Sequence, residues 1–208
     1  MTANSSTPNW RSDSIASSAV TCAWRAPWRT RTRKLGGREM PIAQSLLPEF
    51  DQEMAATRKV LERVPEEKFE WAPHEKSMTL RQLATHVANL VGWTEMTLEQ
   101  NEFDVAPPGG EAFTLPVPDS VSELLAMFDR NTTSAREAIA TAGDDVFMQS
   151  WTLKKGGEAL FSAPKAGVLR RFVMNHLIHH RGQLTVYLRL LGAPVPQTIG
   201  NTADEPEL

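Results

Sequence analysis

From Pro41 onward the chain repeats apolar residues every three or four positions, the spacing of a helix with one buried face. In "PIAQSLLPEFDQEMAATRKVLERV", Leu46, Leu47, Phe50, Met54, Val60, Leu61 and Val64 follow that spacing, and Pro65 stops it. Pro48 puts the helix start near Leu47 or bends the helix there, because an interior proline removes a hydrogen bond and crowds the preceding turn. A second segment, "SMTLRQLATHVANLVGWTEMTLEQ", opens at Ser77 or Thr79, either of which can cap it. The third, "SVSELLAMFDRNTTSAREAIATA", carries Ser120 and Glu123 at capping-box spacing and is terminated by Gly143. The fourth covers roughly 166–191 and is stopped by Gly192 and Pro194.

Between these segments, "NEFDVAPPGGEAFTLPVP" reads as a long connection punctuated by proline and glycine. The stretch "WTLKKGGEALF" reads as a small hairpin turned by its glycines. The expected class is therefore all-α, a four-helix bundle with a small hairpin-like insertion before the last helix. Bundles of this kind build their sites from side chains on facing helices.

Composition narrows the function. Hydrophobic residues at 41% and charged residues at 23% belong to a soluble globular protein. No apolar run approaches the ~20 residues that span a bilayer, so no membrane partner is expected. A single cysteine, Cys22, excludes an intramolecular disulfide framework and a cysteine-rich metal cage. It fits a reducing compartment, and the cytoplasm is the expected location. Residues 1–39 hold seven basic residues against Asp13 and Glu39, which leaves 15 basic and 23 acidic residues for the remainder, a net charge of −8. An acidic body of that kind offers no basic face to phosphates, so nucleic acid is not an expected partner. The stretch 1–39 is rich in Ser, Thr and Arg, and it contains Trp10, Trp24 and Trp28 without apolar period. It reads as a disordered basic extension, with Met40 as the natural start and 40–208 as the folded domain.

Three of the five histidines fall within "NHLIHH", inside the fourth apolar helix. With about 100° per residue and His176 as origin, His180 lies near 40°, among Leu169 and Tyr187 near 20° and Val173 and Leu191 near 60°. His179 falls near 300°, at the margin of that stripe, with Arg171, Thr185 and Arg189 at the back. On the second helix His86 shares a face with Leu83, Leu90 and Trp93, whereas His74 sits in a polar loop beside Pro73. One inward histidine is an ordinary hydrogen-bonded core residue. Two at i and i+4, with a third on a facing helix, supply the number of protein ligands typical of an open catalytic metal site. Imidazole suits zinc, nickel, copper or iron, with zinc or nickel the leading choices.

The segment "TLRQLATHVANLVGW" and, above all, "MNHLIHHRGQLTVYLRLLG" resemble the DinB/YfiT-like family of metalloenzymes. The resemblance covers essentially 40–192. It implies a four-helix bundle, often a homodimer, that holds a divalent metal cation with His86, His176 and His180. It further implies either hydrolysis, with metal-bound water as nucleophile, or S-transfer with a low-molecular-weight thiol such as bacillithiol, mycothiol or glutathione. The small-molecule substrate is not specified by the resemblance. Gln183, near 340° on the fourth helix, is the candidate for a catalytic role through orienting a ligand or substrate. Trp93 and Tyr187 are pocket candidates as well as core aromatics, and Arg181 is expected to point away as a surface or interface charge. The competing reading is a non-catalytic metal-containing bundle acting in stress response or partner binding. A chain beginning at Met40 is expected to melt as the full chain does. A large drop in melting temperature on truncation would show instead that residues 1–39 pack on the bundle.

Overall fold

The structure is a computed structural model and describes residues 40–206, so the expected disordered extension at 1–39 lies outside the described residues. Helix α1 (Ile42–Leu61) begins at Ile42 rather than near Leu47 and carries Pro48 within it. Pro48 is exposed, so the carbonyl deprived of its helical partner can turn to water. Pro41, at the N-cap, offers no capping oxygen. Asp144 supplies one, accepting from the Ile42 amide at 2.8 Å.

Helix α2 (Leu80–Leu90) opens at Thr79, whose hydroxyl accepts from the Gln82 amide while the Gln82 side chain accepts from the Thr79 amide. That reciprocal pair satisfies two amides that a helix start leaves unbonded. The second segment is not one helix: it breaks at Val91–Gly92 and resumes as α3 (Trp93–Glu99). Asn131, from α4 (Val121–Thr141), donates to the Ala88 carbonyl at 3.0 Å beside the break. It packs so close that a Cβ on Gly92 would lie 3.3 Å from its Cγ. Ser120 caps α4 by accepting from the Glu123 amide, and Glu123 reaches back to the Asp119 amide, one residue beyond a standard box.

After the short α5 (Asp144–Met148) come β2 (Ser150–Lys155) and β3 (Glu158–Pro164), the expected hairpin. Gly156 and Gly157 both take positive φ, 65° and 84°, as a two-residue turn matched to strand twist requires. The fold is mostly helical but not purely all-α. Inside the connection read as irregular lies a third strand, β1 (Glu102–Asp104), which pairs in parallel with β2, Phe103 opposite Leu153. Three residues are too few to show alternation, which explains why the strand was not legible. Asp104 ties the sheet together by accepting from the Ala106 amide and from both turn amides, Gly156 and Gly157.

The last helix has three parts. It starts as α6 (Lys165–Val168), widens into a π-helix over Leu169–Met174, and continues as α7 (Asn175–Leu190) to Gly192, whose φ of 73° ends it. Its rotation differs from the sequence expectation. The buried residues of α7 are Leu177, Arg181, Leu184 and Leu188, which fall at about 100°, 140°, 80° and 120° from His176. His176 and His180 therefore flank the core stripe instead of lying at its centre, and each borders a cleft of its own. Leu177, Leu184 and Leu188 pack into the main core with Phe50, Leu83 and Phe128. A second core of Trp93, Trp151, Leu153, Val168 and Val173 underlies the sheet. No helix among the described residues is long and apolar enough to cross a membrane.

Arg181 corrects the expectation of a surface charge. It is 3% exposed, pairs with Glu53 of α1 at 2.7 Å, and donates to the Glu53 carbonyl and the Thr57 hydroxyl. Removing one partner of a buried pair strands the other charge. Arg181→Ala should cost about 3 kcal/mol in urea unfolding, against about 0–1 kcal/mol for Arg136→Ala, whose partner Asp51 is exposed. Equal costs would show that the buried pair does not anchor α7.

Candidate metal centre

His86 stands at mid-length of α2, held there by Leu83, Val87 and Leu90, which point into the core around it. His176 and His180 stand one turn apart on α7, which packs against α2. Their ring nitrogens meet. His86 Nε2 lies 3.4 Å from His176 Nε2, and His176 Nε2 lies 2.9 Å from His180 Nε2. Each of the three offers a ligand atom within 4.8 Å of the other two, the only such group of three among the described residues. His179 is exposed and outside it; His74 is an exposed loop residue whose Nδ1 accepts from the Lys76 amide.

The hydrogens on these rings follow from their other partners. His176 Nδ1 lies 3.3 Å from the Phe172 carbonyl, an acceptor only, so that nitrogen carries the hydrogen. His180 Nδ1 lies 2.6 Å from Gln183 Oε1, again an acceptor, and donates to it. In the neutral rings both Nε2 atoms then bear lone pairs, and the lone pairs are aimed at each other across 2.9 Å. Bare lone pairs at that distance repel. A divalent cation held by His86, His176 and His180 would turn that repulsion into ligation, and orienting partners on the far nitrogens are usual for metal-binding histidines. The donor set of three neutral imidazoles fits such an ion.

Burial and mutual repulsion favour the neutral forms of His86 and His176. Burial, followed by the facing His180 and His176, lowers the His86 pKa from 6.5 to about 4. His176 is lowered as well, chiefly by burial and then by His180, with the Phe172 carbonyl opposing.

Three clefts converge on the centre, and each histidine borders a different one. His176 opens onto about 480 Å³ beside Phe161, Arg171 and Phe172. His180 opens onto about 390 Å³ with Gln183 and Tyr187. His86 opens onto about 390 Å³ with Gln82, Leu115 and Val117. Trp93 belongs to the second core, while Tyr187 does line a cleft and donates to the Met78 carbonyl.

Arg171 was expected at the back of the helix and instead lines the His176 cleft. In an α-helix residues five apart point about 140° away from each other. A π-helix closes its turn at i→i+5 and brings such residues onto one side. The π-segment at Leu169–Met174 lies between Arg171 and His176 in this way. No periodicity in the sequence marks it.

Comparison with known proteins agrees with this architecture. A model of the DinB family matches residues 40–207. The chain is 26% identical over 163 residues to YrdA of Bacillus subtilis (strain 168), covering 76% of this chain and 89% of that protein. Its fold is similar to that of a DinB-like protein from Bacillus cereus, with a TM-score of 0.56, 22% identity, and coverage of 76% and 97% of the two chains. It is similar also to YjoA of Bacillus subtilis, with a TM-score of 0.57, 16% identity, and coverage of 74% and 97%.

The lowered histidine pKa values set a pH dependence. The unfolded chain takes up these protons near pH 6.5 and the folded chain only at lower pH, near 4 for His86. The unfolded state therefore binds more protons in that window, and stability falls with falling pH. The melting temperature of metal-free protein should be level above pH 6.5 and drop from there toward pH 4, and His86→Leu should flatten the drop. An unchanged slope in His86→Leu would remove His86 from the cluster.

Proposed function

This chain belongs to the DinB family, and from that premise we propose that it is a metal-dependent enzyme of the thiol S-transferase type. In this reading His86, His176 and His180 hold a divalent cation, zinc or nickel, and leave positions for a small molecule. Such an ion lowers the pKa of a thiol or water bound to it and so supplies a nucleophile at neutral pH. Phe172 and Gln183 are positioning groups: their oxygens fix the tautomers of His176 and His180 and turn Nε2 toward the ion.

One observation favours a thiol over water. Among the described residues, no carboxylate lines any of the three clefts. Hydrolysis of a stable bond needs a group to move a proton between water and leaving group, a task usually given to a carboxylate or histidine. Here the histidines beside the clefts are themselves the ligands. A thiol bound to such an ion would already have given up its proton, so its attack on an electrophile would need no general base. Apolar side chains such as Phe161 and Leu115 border the clefts and limit water at the centre.

The test begins with elemental analysis of the purified full chain. His86→Ala, His176→Ala and His180→Ala should each lose most bound metal, whereas His179→Ala should keep it. Gln183→Ala should bind about tenfold more weakly, the usual scale for a lost orienting partner. Cobalt-loaded protein titrated with bacillithiol, mycothiol and glutathione should then develop a sulfur-to-metal charge-transfer band with one of them. Metal retention in His180→Ala with loss in His179→Ala would overturn the ligand set. Full S-transfer by metal-free protein would overturn the mechanism.

A further inference from the structure

The cleft beside His176 is larger than the two others and has a composition of its own. Its walls are apolar, with Phe161 and Ala163 from β3 and Phe172 from the π-segment. Its one charged lining residue is Arg171. Among the described residues Arg171 has neither ion pair nor hydrogen bond, although its neighbour Arg170 pairs with Glu49 at 3.0 Å. A guanidinium is a planar fork of donors matched to carboxylate oxygens, and here it stands exposed at the rim of an apolar space with water as its only partner to displace.

Gly167 is the second observation. It lies inside α6, where glycine costs about 1 kcal/mol relative to alanine. Its φ is not positive, and a Cβ built on it would meet nothing within 4 Å. Neither backbone strain nor close packing therefore requires glycine. Gly167 lines the cleft, and the space beside it is open, so a larger side chain there would narrow the cleft's mouth.

We infer that this cleft selects the substrate of the histidine centre and takes a small organic acid. The apolar body of the acid lies along Phe161 and Phe172, its carboxylate pairs with Arg171, and its reacting end reaches the centre at His176. The inference rests on the proposed function for the word substrate, but the recognition itself needs no metal. It follows from one cation, two aromatic walls and a glycine.

The experiment measures binding by calorimetry to the full chain, zinc-loaded and metal-free, with 3-phenylpropionate, its neutral counterpart 3-phenylpropanol, and inorganic phosphate as probes. The acid should bind at least tenfold more tightly than the alcohol in both forms of the protein. Phosphate, which has charge without an apolar body, should bind far more weakly than the acid. Arg171→Gln should abolish the tenfold preference and leave the affinity for the alcohol and the zinc content unchanged. Gly167→Leu should weaken acid and alcohol alike by tenfold or more, again with unchanged zinc content and with a melting temperature no lower than that of the wild type. A preference that survives in Arg171→Gln would place the carboxylate elsewhere, on the metal if it appears only in zinc-loaded protein, and would overturn the inference. So would equal binding of acid and alcohol, no binding of either, or full binding in Gly167→Leu. A chain that takes up no zinc yet keeps the Arg171-dependent preference supports the cleft and overturns the metal reading alone.

Discussion

Two imidazole nitrogens, each with its lone pair turned toward the other at 2.9 Å, are an arrangement that a protein core does not adopt for its own stability. The Phe172 carbonyl and the Gln183 side chain hold the rings in that orientation from behind. Packing supplies the rest, since α2 sets His86 against the pair from a neighbouring helix. A hydrogen-bonded core histidine would point its donor at an acceptor, and a solvated one would relax toward water. These rings do give their Nδ1 hydrogens to acceptors, but those acceptors lie on the side remote from the cluster and leave the two Nε2 lone pairs facing each other. The remaining features of the last helix make sense as conditions for keeping that geometry.

The phase of α7 is fixed from both sides. His180 and Arg181 are consecutive and so point about 100° apart. The first turns to the clefts and the second into the core, where Glu53 and Thr57 of α1 hold it. A buried ion pair is a poor source of net stability but a strong source of specificity, since rotation of the helix would part the buried Arg181 from the half-buried Glu53. Rotation that displaced His180 by a few ångströms would also break the Arg181 contacts. The charge that sequence reasoning assigned to the surface thus works as the pin that keeps the histidines aimed.

Much of this architecture was legible in the sequence because it rests on local rules. Apolar spacing marks the long helices, Thr79 and Ser120 act as caps through their own hydroxyls, and the two glycines at 156–157 turn the hairpin. The convergence of His86, His176 and His180, with His179 left outside, was also legible, because the i, i+4 pair shares a face in any α-helix. What was missed depends on contacts between distant segments. The strand β1 exists because β2 lies beside it, and Arg181 is buried because Glu53 and Thr57 await it. The centre of the buried stripe was misplaced for a related reason. Leu177, Arg181, Leu184 and Leu188 form a proper helical face, but an arginine among them conceals it from any reading based on hydropathy.

The π-segment is where the two cores and the centre are joined. It lies between the stretch that packs on the sheet and the stretch that packs on α1 and α2, and each of those partners imposes its own rotation. A continuous α-helix cannot satisfy both, since its phase at residue 168 dictates its phase at 177. Widening the turn absorbs the mismatch, at the cost of poorer backbone hydrogen bonds within it. The same widening aligns residues five apart, which brings Arg171 to the cleft of His176. It also leaves the Phe172 carbonyl next to the His176 ring, 3.3 Å from Nδ1. Such π-turns inside α-helices are found disproportionately at functional sites. Here the physical reason is visible: one local distortion reconciles the sheet with the bundle and, in doing so, assembles the side of the site that the α-helical period would have dispersed.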